Sequence, residues 1–506
     1  MNGHPHWKIA GPKGRPGISS TLRDPLRGWL AKRSTWLYGL IPLFAVGAAL
    51  IPTVLVPALH GRLHAAVVTP YPHDLAQLSF AVAGDVIPHE AVKQSAAAAG
   101  DGEQGWAAQF SDVADVFEGT DFGFVNLETP VAPTNSHGTK AFLFDAPVAL
   151  PEALKASGIK IVSFANNHVM DQGWAGFTES REHLKEAGLL FAGTSDDTAT
   201  AWKPVITQAN GIKVGWLGMT RWLNGNRNPD KDDQPHVNFY PYPGEANGAP
   251  GADEATVLAA VKAARAQCDL LVVSMHWGIE YATSPRPEDV DLAHKMLEAG
   301  ATVIVGGHPH VLQQIETYQT QDGRDTVIFY SMGNFLSNQS RSYVEGLNPD
   351  SNGEPRDEMI GLFSAVRRDY GPAGVRVELG HVGVLPVWED NNRNELASGR
   401  EKKPMIKPVL IDREIPALEA RLGALNQAAG LSTTNAAAPV GGPNAEVEPG
   451  ANAASPGQES GLTPDQKKEF IEVTKRLKLL TDRRAQILAR VGDDYVVAPP
   501  KLPARP

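Results

Sequence analysis

Residues Leu78–Glu90 read LSFAVAGDVIPHE: an apolar run closed by Gly84, then Asp85, then His89 and Glu90 about a turn later. The run has the length of one β-strand, and the residues able to do chemistry begin where it ends. The same pattern recurs downstream in FGFVNLE (122–128), IKIVSFA (159–165), LLFAG (189–193), KVGWLGM (213–219), DLLVVSM (269–275), TVIVGG (302–307) and TVIFYSM (326–332). Helical stretches are predicted between them over Leu150–Ala156, Gly176–Ala187, Asp253–Ala266 and Glu288–Ala299. Apolar strands alternating with helices define an α/β domain whose strands are buried on both faces, and ligands of such sheets gather beyond the carboxyl ends of the strands.

Outward from this core the chain changes character. Residues 1–34 are basic, with Lys8, Lys13, Arg15, Arg23, Arg27, Lys32 and Arg33 against Asp24 alone. The run WLYGLIPLFAVGAALIPTVLVPALH (Trp36–His60) follows, with no Asp, Glu, Lys or Arg. About 20 apolar residues span a bilayer, and flanking Lys/Arg mark the cytoplasmic side. Residues 35–60 are therefore expected to anchor the chain in the plasma membrane. Residues 1–34 would then be cytoplasmic and all that follows extracytoplasmic. A cleaved signal peptide is the competing reading, although its apolar region is usually only ~7–15 residues.

Residues 61–77 read as a linker, 78–390 as the main domain and 391–425 as an extension. The Ala-, Gly-, Pro- and Asn-rich stretch 426–461 reads as a flexible linker. A helix over 462–491 and a tail over 492–506 complete the chain. The net charge of −11 excludes a general nucleic-acid binder, since phosphate is held by clustered Lys and Arg. The single cysteine, Cys268, excludes intramolecular disulfides and Cys-rich zinc or iron–sulfur sites.

Five strand ends each deliver a side chain able to bind metal. They are Asp85 in the first; Asn126 and Glu128 in NLE; Asn166, Asn167 and His168, with Asp171, in NNHVMD; His276, with Glu280, in HWGIE; and His308 and His310 in GGHPH. Any one of them has an ordinary structural explanation as a turn, cap or core histidine. As an ordered set they point to a divalent-metal site of carboxylate, amide and imidazole donors, for which Mn, Fe and Zn are all suitable. Two such ions about 3.5–4 Å apart clamp phosphoryl-type groups. Glu128 is the candidate bridging carboxylate.

This ordered set, GD85, N126-L-E128, N166-N167-H168, H276-W-G, G307-H308-P-H310 and the later SMGNF (331–335), resembles the bacterial capsule synthesis family of the poly-γ-glutamate capsule protein CapA. That family is itself similar to the calcineurin-like metallophosphoesterases. The resemblance implies a two-sheet sandwich flanked by helices with a dinuclear site at one edge. It implies Asp85, Glu128, Asn167, His276, His308 and His310 as metal ligands and His168 as the catalytic histidine. Two departures stand out. The usual Asp-x-His has Ile at position 87, so His89 would have to reach in or one ion would lose a ligand, and Glu replaces the bridging Asp. Both weigh against ordinary phosphatase activity. Asn126, Lys140 and Asn334 are candidate substrate contacts.

Three functions fit this reading. The first is a membrane-anchored extracytoplasmic protein of poly-γ-glutamate-type polymer biosynthesis or export, with a metal-dependent hydrolase-like site. The second is an envelope phosphoesterase acting on nucleotide-like or lipid-linked phosphates. The third is a non-catalytic metal-binding scaffold for polymer synthase or export subunits.

Overall fold

The structure is a computed structural model and describes residues 71–245, 249–430 and 461–499. The basic N-terminus, the expected anchor over 35–60 and most of the expected linker over 426–461 lie outside the described residues. Among the described residues no helix is long and apolar enough to cross a membrane.

The chain enters on β1 (His73–Val86), passes through three short helices, α1 (Glu90–Ala99), α2 (Gly102–Phe110) and α3 (Ala114–Glu118), and returns on β2 (Phe122–Leu127). Next come α4 (Ala149–Ala156), β3 (Ile159–Ser163), α5 (Gly173–Glu186), β4 (Leu190–Ala192) and the two-residue β5 (Thr194–Ser195). The second half opens with β6 (Val205–Ala209), β7 (Ile212–Thr220) and β8 (His236–Val237). It continues through α6 (Glu254–Arg265), β9 (Leu270–His276), α7 (Pro287–Ala299) and β10 (Val303–Gly307). After β11 (Ile315–Gln319), β12 (Asp325–Phe329) and β13 (Asn334–Leu336), a long hairpin forms from β14 (Asp357–Asp369) and β15 (Val375–Asn391). Then follow α8 (Arg393–Ala397), β16 (Ile406–Leu410), α9 (Ile411–Ala428) and, past the undescribed stretch, α10 (Pro464–Val491).

Two large sheets result. One has the order β16-β15-β14-β1-β2-β3-β4, with β13 also paired to β1, and the other the order β11-β12-β10-β9-β7-β6. Their alternation explains why the strands read as continuous apolar runs. Phe80 and Val82 of β1 face the second sheet, while Ala81 and Ala83 face α1 to α5; in β9, Leu270 and Val272 face the first sheet, while Leu271, Val273 and Met275 face α6 and α7. Between the sheets Trp216 stacks on Phe124 at 5.7 Å and meets Phe80 at 6.0 Å. Burying each such ring stabilises the sandwich by roughly 2–3 kcal/mol. Cys268 is buried, as a small apolar residue would be.

Two boundaries differ from the sequence reading. The linker expected over 61–77 is already strand from His73, because β14 extends antiparallel beside it, pairing His73 with Asp369. The extension 391–425 completes the first sheet with β16 and covers it with α9, whose helix carries on to Ala428. The C-terminal helix α10 places Leu480, Ile487 and Val491 against Trp388, Met359 and Ile411, on the part of the first sheet that the second does not cover.

Candidate metal centre

The centre forms where parallel strands of both sheets stop. Asp85 pairs in register with Asn126 and, on its other side, with Asn334; His276 is level with Gly307 and with Thr220, the last residue of β7. Two glycines make room. A Cβ on Gly84 would lie 2.0 Å from the Gly333 carbonyl oxygen, which accepts the Asp85 N–H, and a Cβ on Gly307 would lie 2.5 Å from Asp85 Oδ1.

Around this junction the acids and imidazoles fall into two triads that share one residue. Glu128, His276 and His308 offer donor atoms all within 4.8 Å of one another, and so do Asp85, Glu128 and His310. All five side chains are buried. His276 Nε2 lies 3.5 Å from Glu128 Oε1 and 2.7 Å from the amide oxygen of Asn167. His310 Nδ1 lies 3.4 Å from Asp85 Oδ2, and that same oxygen accepts the His308 backbone N–H at 3.0 Å. His308 and His310 both hold left-handed backbone, φ +95° and +58°. Non-glycine residues persist there only where the surroundings over-determine them, and such residues cluster at functional sites.

Both carboxylate oxygens of Glu128 and Nδ1 of His308 are buried without a hydrogen-bond partner among the described residues. Orphaned acceptors of this kind cost several kcal/mol unless something occupies them. No Lys or Arg side chain contacts Asp85 or Glu128 among the described residues. Burial, joined by the negative Asp85, pushes the Glu128 carboxyl well above the usual range. Burial holds His308 well below its ordinary value and brings His276 to about 4, leaving both neutral with a lone pair to give. For His310 burial is outweighed by the Glu128 and Asp85 carboxylates, which bring it to about 9, so a proton stands where a cation could. Asp85 stays below the usual range although burial opposes it, because the His310 hydrogen bond and the neighbouring imidazoles favour its charge. This donor set, with its orphaned atoms, fits a divalent metal.

The remaining expected residues divide into those at the junction and those away from it. His168 Nδ1 lies 2.8 Å from Asp171 Oδ2, its ring packs on Phe144 at 4.5 Å, and its backbone N–H donates to Asn166. Asn126 donates to Asp85 at 2.8 Å, and Asn166 donates to the Leu127 carbonyl at 2.8 Å. Asn334 is enclosed and does not face a cleft. It donates to the Pro355 carbonyl at 2.8 Å, and its amide oxygen faces His310 Nδ1 at 3.1 Å, so it positions a candidate ligand. Lys140 is exposed on a loop tied down by Gln172, with no contact to the cluster. His89 does not reach in. Its Nδ1 accepts the Asn338 N–H at 3.1 Å, and His310 completes the triad on Asp85. Trp277 is packing, its indole N–H donating to the Tyr330 carbonyl.

Sequence reasoning passed over the end of β7. Arg221 is buried between the rings of Tyr240 and Tyr242, at 4.1 and 3.8 Å, and Trp222 stands 6.3 Å from His308. Asn224 accepts from Asn167 at 3.3 Å. Trp222 and Asn224, together with Glu245, Glu280 and Arg286, edge a cleft of about 500 Å³ that opens from Asn167 and His308. The available signal was TRWLN directly after KVGWLGM, one more strand end, which went unnoticed because it carries no acid or histidine.

Fold and site thus define a two-sheet α/β protein with a buried histidine–carboxylate cluster fit for metal at the strand ends. Residues 79–339 match the model of the bacterial capsule synthesis protein family PGA_cap, and the chain belongs to that family. Similar proteins include the capsule biosynthesis protein CapA of Bacillus anthracis, 28% identical over 299 residues, covering 58% of this chain and 68% of that protein. The PGA biosynthesis protein CapA of Bacillus subtilis is 30% identical over 240 residues, covering 47% and 58%. A probable polyglutamine synthesis accessory protein of Mycobacterium tuberculosis is 25% identical over 249 residues, covering 46% and 60%. This chain therefore spans 58% to 68% of the length of these relatives. Among solved structures, a 5'-nucleotidase from Candida albicans overlaps 58% of this chain and 48% of its own, at TM-score 0.29 and 11% identity, a likeness too slight to carry an argument.

Proposed function

We propose that this chain works in the biosynthesis or export of an anionic surface polymer of the poly-γ-glutamate type, through a dinuclear metal centre. In this reading its N-terminal segment anchors it in the plasma membrane with the main domain outside. The observation that carries the proposal is the pair of triads meeting at the orphaned Glu128 carboxylate, inside the stretch shared with proteins named for capsule and PGA biosynthesis. Glu128, His276 and His308 would hold one ion, with the Asn167 amide oxygen beside them, and Asp85, Glu128 and His310 the other. Bound there, the ions supply Lewis acidity for hydrolysis or transfer at a phosphoryl or carboxyl-derived group.

The chain's own part is proton handling and orientation. Asp171 fixes the His168 ring through Nδ1, leaving Nε2 to give or take a proton at the leaving oxygen. Asn126 and Asn334 hold Asp85 and His310 in place. His168→Ala should lower turnover on phosphodiester or γ-glutamyl probes by about 10²–10⁴-fold while leaving bound metal unchanged. Unchanged turnover would remove His168 from the mechanism. Metal retained by a wild-type chain that turns over neither probe would favour the scaffold reading.

A further inference from the structure

The end of β7, which the sequence reading passed over, also braces the turn that leaves β9. That turn, residues 276–280, carries the candidate ligand His276 and runs on to edge the cleft with Gly278, Ile279 and Glu280. Three hydrogen bonds hold it. The His276 carbonyl accepts the Arg221 backbone N–H at 2.9 Å, the Trp277 N–H donates to the Gly307 carbonyl at 3.1 Å, and the Gly278 N–H donates to the Tyr242 hydroxyl at 2.7 Å. The first two are backbone pairs between strand ends, which almost any residue could supply. The third needs a side chain, and Tyr242 brings it from outside both sheets.

Tyr242 is fixed at its hydroxyl and on its ring. The hydroxyl donates to the Asp289 carboxylate of α7, 2.8 and 2.7 Å from its two oxygens. Both the Arg221 and the Arg286 guanidiniums lie over the ring, at 3.8 and 3.9 Å, and Trp222 packs 5.4 Å away. Arg221, Tyr242 and Asp289 are all buried. The Arg221 guanidinium stands 3.9 Å from Asp289, and its Nε has no hydrogen-bond partner among the described residues. Burial pushes Asp289 up to about 6 in spite of these partners. A buried ion pair of this kind adds little stability over apolar side chains of like volume. What the trio supplies here is one immobile hydroxyl under the turn. Among the described residues no hydrogen bond or ring contact joins the trio to Asp85 or His310; Asn126 and Asn334 hold those two instead.

Building on the metal-centre reading above, we propose that Tyr242 is a positioning residue for one of the two ions. Backed by Asp289 and Arg221, its hydroxyl sets the turn that aims His276 at Glu128 and His308. The ion of Asp85 and His310 depends on Asn126 and Asn334. The two halves of the centre are thus tuned separately, from opposite flanks.

The test is stepwise Mn²⁺ titration of the full chain by calorimetry. Tyr242→Phe removes the hydroxyl alone and should bind one ion as the wild type does and the other about 10–100-fold more weakly. Asp289→Leu should do the same, whereas Asp289→Asn, whose amide oxygen still accepts the hydroxyl, should keep most of the affinity. In a His276→Ala background, where the ligand that Tyr242 positions is already gone, Tyr242→Phe should change the remaining ion's affinity by no more than about twofold. Both ions weakened alike, as by general loosening, or neither weakened, would overturn the positioning role and leave the metal centre standing. A further large drop in the His276→Ala background would do the same. A wild-type chain that binds no Mn²⁺ would overturn both.

Discussion

Two regions of this molecule bury carboxylates, and they keep different company. At the strand ends, Asp85 and Glu128 are surrounded by His276, His308 and His310, and the Glu128 oxygens have no partner among the described residues. On β14 and β15, Asp357, Glu358 and Glu389 are buried beside Arg356 and Arg483. Arg483 forks onto Asp357, and Arg356 lies over the Trp388 ring at 4.3 Å and donates to the Glu389 carbonyl at 2.8 Å. The second region pairs Asp357 with Arg483, whereas both oxygens of Glu358 and Oε1 of Glu389 also lack hydrogen-bond partners among the described residues and lie beside Arg356 and one another. The first brings His276 and His308 held neutral, His310 held charged by the acids, and a cleft at His308, so what occupies the orphaned Glu128 oxygens has to come from outside. A buried acid cluster whose company is histidine beside a cleft therefore suits a divalent metal, whereas one whose company is arginine forms an internal lattice offset by those cations and by carboxyls held above their usual range.

The sharpest way to break this contrast is to remove a cation from the lattice. Arg483→Ala leaves Asp357 buried without its partner and should cost about 3–5 kcal/mol in urea unfolding, with metal content per folded chain unchanged. A loss of metal alongside stability would mean that the two regions are one unit. Next in size is Asn334→Ala, which frees the His310 ring. It should weaken metal binding about 10–100-fold with little change in stability, as expected for a residue acting through a ligand. Unchanged metal affinity would return Asn334 to a purely structural turn.

The smallest effect is on pH dependence. Burial raises Glu389 to about 8, and burial with the neighbouring Glu389 raises Glu358 well above its ordinary value. The folded chain thus binds protons that the unfolded chain releases above about pH 4.5, so these groups make stability fall as pH rises from about 5 to 8. Glu358→Gln should flatten that fall by up to about 1.4 kcal/mol per pH unit, one proton's worth, which urea titrations at several pH values would read. An unchanged slope would mean the pair holds no extra proton.

The same contrast explains what could be read from the sequence. The metal region was legible because its strands are short apolar runs, buried on both faces, that end abruptly in Asp, Glu, Asn or His. His308 and Asp85 meet across 223 residues, yet each announces itself locally. The arginine lattice has no such signature. Glu358 and Glu389 lie inside long strands, and Arg483 reaches Asp357 from a helix beyond a low-complexity stretch, so only three-dimensional pairing exposes the contact. The helices of residues 90–118 went unread because EAVKQSAAAA lacks the large apolar residues that mark a buried face. His89 had seemed available for metal from its spacing alone, but β13 leads into Asn338, whose N–H takes its Nδ1. Asn224 was silent because it matters only through the cleft it borders.

The most direct measurement is elemental analysis of the purified full chain beside Glu128→Gln and Glu358→Gln. The account predicts about two divalent ions per wild-type chain, both lost in Glu128→Gln and both kept in Glu358→Gln. A metal-free wild type after metal-replete purification, or Glu128→Gln retaining both ions, would contradict it.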